Sequence, residues 1–177
     1  MADESPLTRR ELIRIGATAA VAVGGVERGF AGERPLKFFA PEEFAMLDEL
    51  TELIIPTDDH SPGARTAGVA AYLDGRLAES IDEENKKRWQ EGLRRIDALA
   101  REMYGMPFMQ AAPEQRLAVL SRIARNERVP QTPEEKFFVE LKYNTANAYY
   151  SSKIGIHQDM KYVGNVLLPE FVGYEVK

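Results

Sequence analysis

Few residues in this sequence could carry chemistry, and they are quickly located. Asp58-Asp59-His60 places two carboxylates beside an imidazole, the group types that hold a hard cation or relay a proton. The surrounding run, Pro56-Thr57-Asp58-Asp59-His60-Ser61-Pro62-Gly63, also concentrates turn formers. In such loops Asp and Ser habitually accept hydrogen bonds from nearby backbone N–H groups. That structural use of the carboxylates is the expectation here. His157 is the second and last histidine and reads as a surface group in a glycine-containing tail. Ser61, Ser151 and Ser152 lack the strand-to-helix setting of a nucleophile elbow. No dinucleotide fingerprint or phosphate loop occurs. The absence of cysteine excludes thiolate nucleophiles, disulfides, covalent haem and Fe–S ligation within this chain. Two readings remain: a chain with no catalytic, cofactor or metal site of its own, and a stand-alone, exported, metal-dependent helical protein using Asp58, Asp59 and His60.

The elements that would position these residues are helical. With 177 residues, 44% of them apolar and 29% charged, one domain with a real core is expected. A net charge of −5 argues against nucleic acid as a partner. Pro41-Glu42-Glu43 opens a helix whose apolar residues Phe44, Leu47, Leu50 and Leu53 recur at helical spacing, and Pro56 stops it. A second helix is predicted from about Thr66 to Ser80, with Val69, Tyr72, Leu73 and Leu77 on one side. Asp82 can cap a third, striped by Trp89, Leu93, Ile96 and Leu99 and ended by Gly105. Pro113 starts a fourth, with Leu117, Leu120 and Ile123 inward. Thr132-Pro133-Glu134-Glu135 has the form of a capping box and starts a fifth. From Ile154 onward no period persists, which predicts an irregular tail. The whole reads as an all-α domain of about five helices.

The amino terminus carries a separate signal. Arg9-Arg10 precedes a modest apolar stretch, residues 15–26, too short for the ~20 residues of a membrane span, and Gly29-Phe30-Ala31 resembles a cleavage site. This arrangement resembles a bacterial twin-arginine export signal. It predicts a signal over residues 1–31, a helical domain over 32–177, and a periplasmic location.

Three stretches resemble the gluconate 2-dehydrogenase subunit 3 family. They are Phe39-Ala40-Pro41-Glu42-Glu43-Phe44 leading to Ile54-Ile55-Pro56-Thr57-Asp58-Asp59; Ser61-Pro62-Gly63-Ala64; and Lys142, Thr145 and Tyr149-Tyr150-Ser151-Ser152-Lys153-Ile154-Gly155, followed by Tyr162 and Gly164-Asn165. The resemblance implies a non-catalytic small subunit. Its partner would be an FAD-dependent catalytic chain of the glucose-methanol-choline type acting on sugars, sugar acids or polyols. A multihaem cytochrome c, with haem c or Fe–S groups in partner chains only, would take the electrons to the inner membrane. It further implies that the small chain aids maturation of the large one and carries it across the membrane through Arg9 and Arg10. The implied partner-binding residues are Asp58, Asp59, Ser61, Pro62, Gly63, Tyr149, Tyr150, Ser151, Gly155 and Tyr162. Tyrosines at such positions combine large contact area with a polar tip.

Overall fold

The computed structural model of the chain describes residues 35–162 and 164. The arginine pair and the rest of the export segment lie outside these residues, as does most of the C-terminal tail. The described body is helical: α1 (Pro41–Ile54), a single turn α2 (Gly63–Thr66), α3 (Val69–Glu79), α4 (Glu83–Tyr104), a 3-10 turn at Phe108–Gln110, α5 (Pro113–Ala124), α6 (Pro133–Tyr150) and a π turn at Gly155–Asp159. Five of these helices are long, as the sequence predicts, and no strand occurs among the described residues beyond an isolated bridge between Thr57 and Pro62. Helix α6 packs against all four other long helices.

Local chemistry delimits α4 and starts α6. At α4, the Asp82 carboxylate accepts the Asn85 N–H at 3.0 Å, and Gly105 ends the helix with φ +72°, a left-handed conformation that costs glycine little. At α6, Glu135 accepts N–H bonds from Gln131 (2.7 Å) and Thr132 (3.1 Å). Its carboxyl is held below its ordinary value by those amides and by the Asn126 side chain. The inward faces meet in one core containing Leu47, Leu50, Leu93, Ile96, Ile123, Leu141 and Tyr149, all buried. Burying such side chains stabilises by roughly 1.5–3 kcal/mol each relative to exposure.

Three expectations are corrected. The second helix does not run unbroken from Thr66: Gly68 takes φ +70° and separates α2 from α3. Tyr72 and Leu117, expected inward, are each about half exposed. At about 100° per residue, Tyr72 falls well off the arc set by Val69, Leu73 and Leu77, and it carries the Arg76 guanidinium 5.9 Å from its ring centre instead. Leu117 likewise lies roughly 100° away from the buried trio Val119, Leu120 and Ile123.

Two contacts fix the helices against each other and against the amino-terminal strap. The Asp74 carboxylate, only 3% exposed, accepts the N–H groups of Lys37 (2.8 Å), Phe38 (3.0 Å) and Phe39 (2.9 Å). A buried carboxylate is tolerable only with such partners. Between α4 and α6, Gly92 faces the Phe137 ring so closely that a Cβ at 92 would overlap it, while Trp89 meets the same ring edge-on at 5.5 Å. Alanine is favoured over glycine inside a helix by about 1 kcal/mol, yet overpacking costs about 1–3 kcal/mol. Gly92→Ala is therefore expected to destabilise the chain, seen as a lower urea midpoint. An unchanged or higher midpoint would mean that α4 and α6 are not in this close approach.

Candidate functional site

The Pro56–Gly63 loop is built from α1 outward. Glu52, on the last turn of α1, receives three donors from two later segments: the Thr57 N–H at 3.0 Å, the Thr57 hydroxyl at 2.7 Å and the Arg65 N–H at 2.8 Å. Partial burial raises its pKa. The Arg65 amide, the Thr57 hydroxyl and amide, and the nearby Arg65 charge more than offset this and hold the carboxyl below its ordinary value of 4.5. The Arg65 guanidinium meanwhile bonds Asp48 (2.6 Å) and Glu49 (2.8 Å). Arg116 reaches the other oxygen of Glu49 at 2.9 Å, so one ladder of charges ties the loop to α1 and α5.

Within the loop, Asp58 does what a loop aspartate ordinarily does. Its Oδ1 accepts the His60 N–H (2.8 Å) and the Ser61 N–H (2.7 Å), and its own N–H donates to the Ser61 carbonyl at 2.8 Å. Those two amides hold the carboxyl below its ordinary 3.8. Asp59 and His60 are exposed at the tip. Among the described residues no three His, Asp or Glu side chains converge as a metal site. Gly63, with φ +78°, is buried against Thr57 and Glu52: a Cβ there would meet the Thr57 hydroxyl and would sit 2.7 Å from the Thr57 backbone N.

The loop is then joined to α6. The Ser61 hydroxyl lies 2.8 Å from the Tyr149 hydroxyl and accepts the Gly63 N–H at 3.2 Å. The structure thus brings Ser61, Gly63 and Tyr149 together although 88 residues separate Ser61 from Tyr149. Tyr149, expected at a partner surface, is fully buried and serves as the anchor for the loop. Gly63 is buried as well, and so is Gly155, where a Cβ would collide with the Tyr149 carbonyl. Tyr150 stays partly exposed, edge-on to Tyr149 at 5.2 Å, and burial together with the Asp159 carboxylate raises its phenol pKa. Ser151 is exposed, with its hydroxyl donated to the Asn147 carbonyl at 2.7 Å. Tyr162 is half exposed, and its N–H donates to the Ile156 carbonyl at 2.9 Å.

Four of the described long helices present ends that disfavour a dinucleotide. The N-termini of α1, α4, α5 and α6 carry Glu42-Glu43, Glu83-Glu84, Glu114 and Glu134-Glu135 in their first turns, so the positive end of each helix dipole already faces carboxylates, which repel a pyrophosphate. In a groove of about 520 Å³ between α1, α4 and the 3-10 turn, several of the charged lining residues already have partners. Asp97 accepts the Phe108 N–H and the Arg101 guanidinium, each at 2.8 Å, and Glu43 accepts the Ala40 N–H at 3.1 Å.

The sequence model of the family described as Gluconate 2-dehydrogenase subunit 3 matches residues 41–166, well over half of the chain. The chain belongs to this family. No curated protein and no solved structure matches it. The matched span of this subunit 3 homologue begins at the first residue of α1 and takes in every described helix, the loop and the Tyr149-Tyr150-Ser151 stretch.

Glu52, the residue that organises the loop of this family member, was not singled out from the sequence. Its spacing of five from Thr57 and thirteen from Arg65 has no local signature. Three outcomes are expected. Gly63→Ala should cost more than about 2 kcal/mol, since it adds a clash to a left-handed backbone. Gly68→Ala, with open space around its Cβ position, should cost only about 1 kcal/mol; equal losses in denaturant titration would contradict the packing described. Ser61→Ala and Tyr149→Phe should be non-additive by about 0.5–3 kcal/mol in a double-mutant cycle, because the first leaves a buried phenol unsatisfied and the double variant does not. Finally, because the folded pKa of Glu52 is depressed, its contribution is fully present above the ordinary value of 4.5 and is lost as pH falls through the folded value. Glu52→Gln should flatten the acid limb of the stability curve, measured as Tm against pH from 6 down to about 3.

Proposed function

We propose that this chain is the non-catalytic small subunit of a heteromeric FAD-dependent dehydrogenase acting on a sugar, sugar acid or polyol. It binds the flavoprotein catalytic chain, aids its maturation and carries it to the periplasm through the Arg9-Arg10 signal. The match to the subunit 3 family over residues 41–166 carries this reading. The chemistry of the chain agrees with it, since the Asp58 carboxylate is engaged in a turn and the first turns of α1, α4, α5 and α6 carry glutamates that disfavour a pyrophosphate. In the complex, FAD belongs to a catalytic chain of the glucose-methanol-choline type, and electrons pass to a multihaem cytochrome c at the inner membrane. The partner contacts come from accessible members of the loop, of the end of α6 and of the segment after it: Asp58, Asp59, Pro62, Tyr150, Ser151 and Tyr162.

Co-expression of the catalytic chain with and without this subunit tests the reading directly. Dehydrogenase activity is expected in the periplasmic fraction only when the subunit is present and its arginine pair intact. Arg9→Lys combined with Arg10→Lys should leave the activity in the cytoplasmic fraction. Equal periplasmic activity without the subunit would refute the carrier role, and failure of the two chains to co-purify would refute the subunit assignment.

A further inference from the structure

The carboxy-terminal half of α6 has a surface unlike that of the other long helices. From Tyr143 to Ser152 no residue is charged, in a chain of which 29% of residues are Asp, Glu, Lys or Arg. The inward side of this stretch is accounted for by the core, which takes Thr145, Ala148 and Tyr149. The outward side is not, apart from the Asp159 carboxylate beside Tyr150. Tyr143 and Tyr150, seven residues apart and so on one face, are 70% and 46% exposed, with Asn147 exposed between them. A helix face in water ordinarily carries Lys, Glu and Arg, as α4 does with Glu84, Lys87, Glu91 and Arg94, all exposed. The first half of α6 itself follows that rule with Glu134, Lys136, Glu140 and Lys142.

The same end of the molecule holds a further apolar side chain. Arg88 meets Glu140 at 3.5 Å and Gly92 meets Phe137, so α4 and α6 run antiparallel and the start of α4 lies level with the second half of α6. Ile81, just ahead of that start, is 97% exposed.

We infer that the tyrosine-rich face Tyr143–Asn147–Tyr150 of α6, with Ile81 at the same end, is the surface on which the catalytic flavoprotein chain docks. The inference rests on the subunit reading above and adds to it where the partner sits. Charge depletion with tyrosine enrichment marks the centre of a protein–protein interface. Tyr with Asn and Ser is the composition of antibody paratopes, where a tyrosine brings area at a cost of only two side-chain torsions. Membership of a family of dehydrogenase subunits supplies the occupant. A second copy would bring another net −5 against the first.

The test replaces Tyr143 with the photoreactive tyrosine analogue p-benzoylphenylalanine in the full-length chain co-expressed with the catalytic chain. Cross-links are then mapped by mass spectrometry, and the wild-type pair is co-purified alongside. A cross-link from position 143 to the catalytic chain is expected. A cross-link to a second copy, to residues 165–177 of the same chain, or to nothing while the wild-type pair co-purifies, overturns the docking face and leaves the subunit reading standing. Failure of the wild-type pair to co-purify removes both. In parallel, Tyr143→Arg with Tyr150→Arg should weaken the complex by about 30-fold or more, while Arg94→Glu on the solvated face of α4 leaves it unchanged. Both variants should keep the wild-type Tm to within a few degrees. Undiminished binding by the double variant overturns the proposal.

Discussion

A tyrosine hydroxyl sealed inside a protein has to find a hydrogen bond, and most of the described architecture around residues 52–68 follows from how Tyr149 finds one. Ser61 is its partner. Placing Ser61 there requires the chain leaving α1 to double back within a few residues, which brings Thr57 opposite Pro62. It also requires a left-handed backbone at Gly63, in a space with no room for a Cβ. Glu52 makes the doubling back affordable by accepting donors from both limbs of the turn. Leaving such a phenol unsatisfied would cost roughly 1–3 kcal/mol, a sizeable part of the net stability of an ordinary domain.

Much of the helical frame was legible in the amino-acid order. The ends of α4 were, because Asp82 and Gly105 act within a few residues of where they sit. So was the start of α6, because the Thr132 and Glu135 reciprocity is local. The buried stripes of α1 and α4 followed from periodicity. What could not be read depends on distance along the chain. The Ser61 to Tyr149 bond, the three amides on Asp74 and the gathering of Thr57 and Arg65 by Glu52 have no signature at short range. Tyr149 and Tyr150 are adjacent and identical in type, and only the packing of α6 decides that one is an interior anchor and the other faces outward. Tyr72 and Leu117 show the complementary error, in which apolar type suggests burial but helical phase forbids it.

The loop also shows why residue type is a poor guide to chemistry. Two aspartates and a histidine in sequence suggest a site, yet the Asp58 carboxylate accepts the His60 and Ser61 amides and Asp59 and His60 sit exposed at the tip. The residues of this family member that the resemblance assigns to partner binding divide into two physical classes. Gly63, Tyr149 and Gly155 maintain shape from within. Tyr150, Ser151 and the loop tip are what another molecule could touch.

The clasp of Asp74 on residues 37–39 has a consequence for dynamics. Residues 35–40 have no helix or strand of their own, and a segment of that kind ordinarily frays within nanoseconds to microseconds. Here three consecutive amide protons point into a buried carboxylate on α3, so their exchange with solvent waits until those bonds break together. Release of the strap strips the Asp74 carboxylate of all three donors at once, which gives a segment without helix or strand a protection it would otherwise lack.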